Sequence, residues 1–449
     1  MRLTRSLASG LTRCPDDPPG TIWGVGDRGP NIKPAIAADR YNRVVIMALC
    51  IAMWSLMTAL CGFASSFVFL LIARVGVAIG EAGGTPPSNS IIADYFKPKS
   101  RANALGIFAM GVTLGGALAN GFGGPIAGLT DEAVVAFFSS IGIGDIHEQL
   151  GWGENFGWRF AFIALGLPGV VIALILLFTV KEPPRGYSDP PGTQRVQKAS
   201  ITETLKELGS KPTFWTMSLG AALVALVGYG LFGFQAPMMQ RLHGMSPGTF
   251  ALQYGVPLSL ISAVGTFAGG YLAEQLSPRS PTAVAWLPAV GLGLAIPLYI
   301  VGFYMEPGTM QIVIWGLGAA CHYSYLGAQY TIGQGVVSQR SRASAIAILL
   351  FIIALIGNGL GPQIVGILSD MFMKMQIDAA GMSDTLTTTI CRGRDLSALS
   401  EAQQAVCVTA YGEGLRQSMA ATILFFIPAA AFYLLAATTL KKDMVAKPV

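Results

Sequence analysis

The sequence is poor in charge: Asp, Glu, Lys and Arg together make up 12% of its 449 residues. A water-soluble chain of this length needs far more polar surface to cover its core, so a soluble fold is excluded. Histidine is scarcer still, with 3 residues. The six cysteines, Cys14, Cys50, Cys61, Cys321, Cys391 and Cys407, contain no C-x-x-C pair and no histidine at ligand spacing, which excludes the common zinc sites. No glycine-rich phosphate loop and no nucleophile with a base is recognisable, so neither enzyme activity nor a cofactor is expected. Nor does an apolar signal segment open the chain, because residues 1–43 are polar and rich in Pro, Gly, Asp and Arg.

What is present is apolar sequence, 52% of the residues, with a mean hydropathy of +0.56. About 20 apolar residues in a helix cross a ~30 Å hydrocarbon core. Such stretches recur at 44–64, 67–95, 102–128, 159–180, 213–239, 248–273, 281–304, 309–337, 343–369 and 417–439, ten in all. A helix satisfies its own backbone in lipid, so the fold class is all-α, a polytopic membrane bundle. Residues 181–212 are broken by prolines and charges, and read as a linker whose last third is a short surface helix. The linker separates a bundle at 44–180 from one at 213–439, with 440–449 as a tail.

Basic residues accumulate on the cytoplasmic side of a membrane. With the N-terminus inside, most of the 29 Lys and Arg fall in cytoplasmic segments, so both termini are expected there, in the cell membrane or, in a Gram-negative cell, the inner membrane. The net charge of +5 then faces anionic lipid headgroups, not nucleic acid. The long external segments are 129–158 and 370–416. The second carries Cys391 and Cys407 on the oxidising side, as a disulfide or as two free thiols.

Arg74 and Glu81 lie inside an apolar span, where a charge costs some ~2.5 to 3.5 kcal/mol on insertion scales. Seven residues apart is two helical turns, so both share one face, roughly 10 Å apart along the axis. Glu81 can take and release a proton while Arg74 holds an anionic headgroup or the carboxylate; the plain alternative is a pair that only steadies the bundle. Asp39, Arg40, Asp94 and Arg101, with Glu274, Arg279, Arg340 and Arg342 in the second half, sit at cytoplasmic span ends and read as a gate of breakable ion pairs, or as ordinary interfacial charges. Tyr229, Phe234, Gln235, His322, Tyr325 and Gln329 are candidate cavity lining, though a lone intramembrane histidine is commonly a packing residue. Gly76, Gly80, Gly83 and Gly84 read as points of close helix approach.

The segment KSRANALGIFAMGVTLGG aligns with RSRASAIAILLFIIALIG, and AIAADRYNR around Asp39 with GYLAEQLSPR around Glu274. Parallel repeats of this kind mark a two-bundle transporter with its site at the interface. These residues resemble the major facilitator superfamily, whose loop motif G-x-L-A-D-R-x-G-R-R keeps Asp39, Arg40 and Arg43 here but has Ala35 and Asn42 at its glycine positions. ARVGVAIGEAGGTPPSNSIIADYFKPKSRANALGIF and FGFQAPMMQRLHGMSPGTF are similar to its bacterial spinster-like, lipid-transporter-like branch.

The resemblance implies two pseudo-symmetric bundles and alternating access. It also implies a proton-coupled, lipid-like or lysolipid substrate, and a monomer whose partners are membrane lipids, protons and a small amphipathic or anionic solute. Two departures stand against it. The family's first two spans have no counterpart ahead of Asp39, so a bundle of four spans is expected beside one of six, instead of twelve in all. The Asp-Arg pair that completes the family's coupling site on its first span is absent with them. A proton-coupled organic-anion carrier and a truncated, non-transporting membrane protein are the rival readings.

Overall fold

The computed structural model describes residues 42–96, 104, 108, 111, 114–153, 156–184, 199–276, 278–393 and 396–445. Among them the regular structure is helical, and eight helices are long and apolar enough to cross a membrane.

In the first half, α1 (Arg43–Gly62) is capped by Asn42, whose side chain accepts from the Val45 N–H at 3.0 Å. Ser66 caps α2 (Phe67–Tyr95) in the same way at Phe69, and α2 runs on past Pro87 to Tyr95. Small residues set the packing. A Cβ on Gly80 would lie 2.9 Å from the Trp54 nitrogen, and one on Gly84 would meet the Trp54 ring. The α1 and α2 backbones therefore approach as the glycine spacing predicts. On its other side α1 packs against α4 (Gly157–Thr179), where Gly166 lies against Ser55 and Ala59. Between these helices α3 (Asp131–Ser140) caps the end of the bundle over an aromatic cluster of Phe138, Trp152, Phe156 and Phe160.

The second half is built around α6 (Pro212–His243), the most buried of the eight helices. The amphipathic linker helix α5 (Ile201–Gly209) precedes it, held by a Ser200–Glu203 capping box. Around α6 stand α7 (Pro247–Leu276), α8 (Ala283–Tyr304), α9 (Thr309–Tyr323), α10 (Tyr325–Gly335), α11 (Arg342–Ala379), α12 (Glu401–Ile423) and α13 (Phe426–Asp443). Asp443 at the end of α13 accepts from the Thr213 N–H (3.0 Å) and hydroxyl (2.7 Å), closing the first turn of α6.

Two expectations are corrected. The span at 309–337 is not one helix: it breaks at Ser324, whose hydroxyl turns back to the Cys321 carbonyl at 2.7 Å. The span at 417–439 is likewise divided, at Leu424 and Phe425 between α12 and α13, while residues 370–416 are largely helical, since α11 continues to Ala379 and α12 begins at Glu401. Hydropathy falls there, but a helical apolar stripe persists, and Met373, Ile377, Cys407 and Ala410 pack into a small core beyond the membrane span. The span expected at 102–128 lies largely outside the described residues.

Candidate functional site

Arg74 and Glu81 stand on α2 outside the glycine row that meets α1, and both are exposed. Neither forms a hydrogen bond or ion pair with another described residue. Two charges left open on an apolar, membrane-crossing helix require water or a polar ligand in front of them.

The gate residues divide. Asp39, Arg40 and Arg101 lie outside the described residues. Asp94 pairs with Arg43 at 2.5 Å, within its own half. Arg43 is 2% exposed and spends its whole guanidinium there: on Asp94, on Glu182 at 2.6 Å, on Ser90 at 2.7 Å and on the Pro183 carbonyl at 2.9 Å. Glu182 in return accepts from the Arg43 and Val44 main-chain N–H groups at the start of α1. This buried knot fastens the ends of α1, α2 and α4, with Asp94 as one of its two carboxylates. The sequence reading named Arg43 as a motif residue but missed Glu182 and the pairing of the two, although an acid just past an apolar helix was visible. Glu274, Arg279 and Arg342 are exposed, and none forms an ion pair with another described residue.

The linker side of the second half has a second anchor. Glu207 of α5 accepts from the Ser338 N–H (2.6 Å), the Ser338 hydroxyl (3.0 Å) and the Ser341 hydroxyl (2.5 Å) in the turn before α11. Burial alone would raise the Glu207 pKa, but these donors outweigh it and hold the group below its ordinary 4.5.

Of the expected lining residues, Tyr229 is open, and Phe234 and Gln235 are half-buried. His322, Tyr325 and Gln329 are enclosed in this structure. The His322 ring is filled around by Tyr299, Tyr325 and Phe426, and its Nδ1 lies 3.2 Å from the Tyr299 hydroxyl. Cys391 and Cys407 are bonded to one another and tie the start of α12 to the turn before it.

On the side of the membrane away from the linker, the halves meet. A π-helical turn at Ala119–Gly123 lies beside a second at Ala251–Gly255. Gly124 faces Ala251, Gly128 faces Gly248, and Asn120 fills the space left by Gly255 and donates to Ser259 at 3.4 Å. Only small residues allow this approach; a Cβ on Gly124 would overlap the Ala251 side chain.

Residues 35–362 match the model of the Major Facilitator Superfamily. The structure superposes with a TM-score of 0.82 on the crystal structure of a bacterial homologue of the human lysosomal transporter spinster in an inward-facing, unoccupied conformation, at 52% identity, covering 92% of this chain and 87% of that one. The chain is a spinster-like member of the Major Facilitator Superfamily. It is also 29% identical over 345 residues to an MFS-type efflux pump of Mycolicibacterium smegmatis, covering 76% of this chain and 72% of that protein. To protein spinster of Drosophila melanogaster it is 26% identical over 347 residues, 75% of this chain but 52% of that protein's length. A spinster-like protein is a membrane transporter and not an enzyme.

Proposed function

We propose that this spinster-like chain is a secondary transporter for an amphipathic, lipid-like substrate such as a lysolipid, coupled to protons and working by alternating access as a monomer. The observation that carries the reading is the exposed pair on α2. Arg74 supplies a fixed positive charge for an anionic headgroup, and Glu81, two turns along, supplies a titratable carboxylate. When the headgroup occupies Arg74, the carboxylate loses that neighbour's field and takes up a proton more readily, which links the two ligands. The apolar faces beside them accept the acyl tail.

In this reading the protein lies in the cell membrane with both termini cytoplasmic, and the far contact between Gly124 and Ala251 opens as the linker side closes. Glu274, Arg279 and Arg342, with Asp39, Arg40 and Arg101, are then free to pair across the cytoplasmic mouth. The test is uptake by proteoliposomes of radiolabelled lysophosphatidylglycerol against a small organic anion such as lactate, for the chain and for Arg74→Gln. Lysolipid uptake that falls at least ten-fold in Arg74→Gln is expected. Uptake of lactate without lysolipid would assign the chain to organic-anion transport instead.

A further inference from the structure

Tyr229, Tyr299, Tyr323, Tyr325, Tyr330 and Tyr433 gather in the second half around the helix break at Ser324. Tyr229 of α6 lies near Tyr323, Tyr325 and Tyr330, Tyr433 of α13 lies near Tyr325, and Tyr299 of α8 meets His322. The cluster is graded from open to closed: Tyr229 and Tyr330 are 43% and 39% exposed, while Tyr299 and Tyr433 are buried. Along α10 the open strip continues through Thr331 and Gln334. Behind it Gln329, 2% exposed, holds an Oε1 that receives no hydrogen bond.

Lipid offers no partner to a hydroxyl or an amide, so a strip of Tyr, Thr and Gln at membrane depth belongs on a wetted wall. Residues 212–240, 309–323 and 325–335, which build that wall, contain no Asp, Glu, Lys or Arg. Arg74 and Glu81, on α2 of the first half, are charges carried within a membrane-crossing helix.

We propose that this uncharged wall is a headgroup subsite that reads hydroxyl groups, so that the transported lipid carries a polyol headgroup on its phosphate, as glycerol phosphate does. The inference rests on the lipid reading of the transporter, with Arg74 meeting the phosphate, and it specifies that headgroup further. Aromatic walls also bind quaternary ammonium groups, but they do so through ring faces alone, for which Phe or Trp serves as well as Tyr. Here Tyr229, Tyr330 and Gln334 carry hydrogen-bonding groups that a choline headgroup would leave unused, whereas the Thr331 hydroxyl already donates to the Gly327 carbonyl at 3.0 Å.

The purified full-length chain in detergent micelles is titrated with lysophosphatidylglycerol and with lysophosphatidylcholine by calorimetry, alongside Tyr229→Phe, Tyr330→Phe and the double variant. Both tyrosines are open, so their loss leaves the fold intact, and an unchanged melting curve is the control. The glycerol lipid is expected to bind at least ten-fold more tightly, with each substitution weakening it roughly five-fold and leaving the choline lipid unaffected. Equal or tighter binding of the choline lipid, or a double variant that changes neither, overturns the subsite while the lipid reading survives. Binding of lactate but of neither lipid overturns both.

Discussion

Removing the Arg43 side chain tests how the first half is held together. Arg43→Gln keeps the first part of the stem and a polar end but deletes a guanidinium that is 2% exposed and touches two carboxylates, a hydroxyl and a carbonyl. Breaking a buried ion pair by removing one partner costs about 3 to 5 kcal/mol, because the remaining charge is stranded. Glu182 keeps two main-chain donors and its side chain is 24% exposed, so part of its charge stays solvated. The lower end, about 3 kcal/mol, is therefore expected. SDS-induced unfolding from dodecyl maltoside micelles, followed by tryptophan fluorescence, measures it. In the double-mutant cycle with Asp94→Asn the two losses should fall well short of additive, since either change dismantles the same knot. A loss under about 0.5 kcal/mol for Arg43→Gln, the range of ordinary surface changes, would refute the reasoning.

Asp443→Ala removes the acceptor that closes the first turn of α6 and should cost about 1 to 2 kcal/mol in the same assay. Glu207 has a depressed pKa in the folded protein, so its contribution is complete above the unfolded value and is lost as pH falls through the folded one. Amide exchange across 201–209 should therefore rise below about pH 4.5 relative to neighbouring helices, and Glu207→Gln should remove that dependence. Gly124→Leu forces Ala251 away from the far contact between the halves; transport should drop about ten-fold or more with the circular dichroism spectrum unchanged, and undiminished transport would contradict the contact.

Where lipid decides the structure, the sequence was easily read. Seven of the expected spans stand as single helices because only unbroken apolar runs can cross hydrocarbon, and the Gly80 and Gly84 approach to Trp54 follows from helical spacing. What escaped depends on side chains distant in sequence. Hydropathy ended the span after 369 because α11 turns amphipathic there, yet its stripe still pairs with that of α12. The break at Ser324 carries no proline and is set by packing of α9 and α10 against Gly269 and Gly291. Arg43 and Glu182 are 139 residues apart, and nothing local in either segment declares the pair.

Proton coupling in the proposed function rests on Glu81. Lysophosphatidylglycerol uptake into proteoliposomes, measured with and without an inward-directed proton gradient, should be accelerated by the gradient in the unaltered chain and be indifferent to it in Glu81→Gln. Gradient-driven uptake that persists undiminished in Glu81→Gln would contradict the claim that this carboxylate carries the coupled proton.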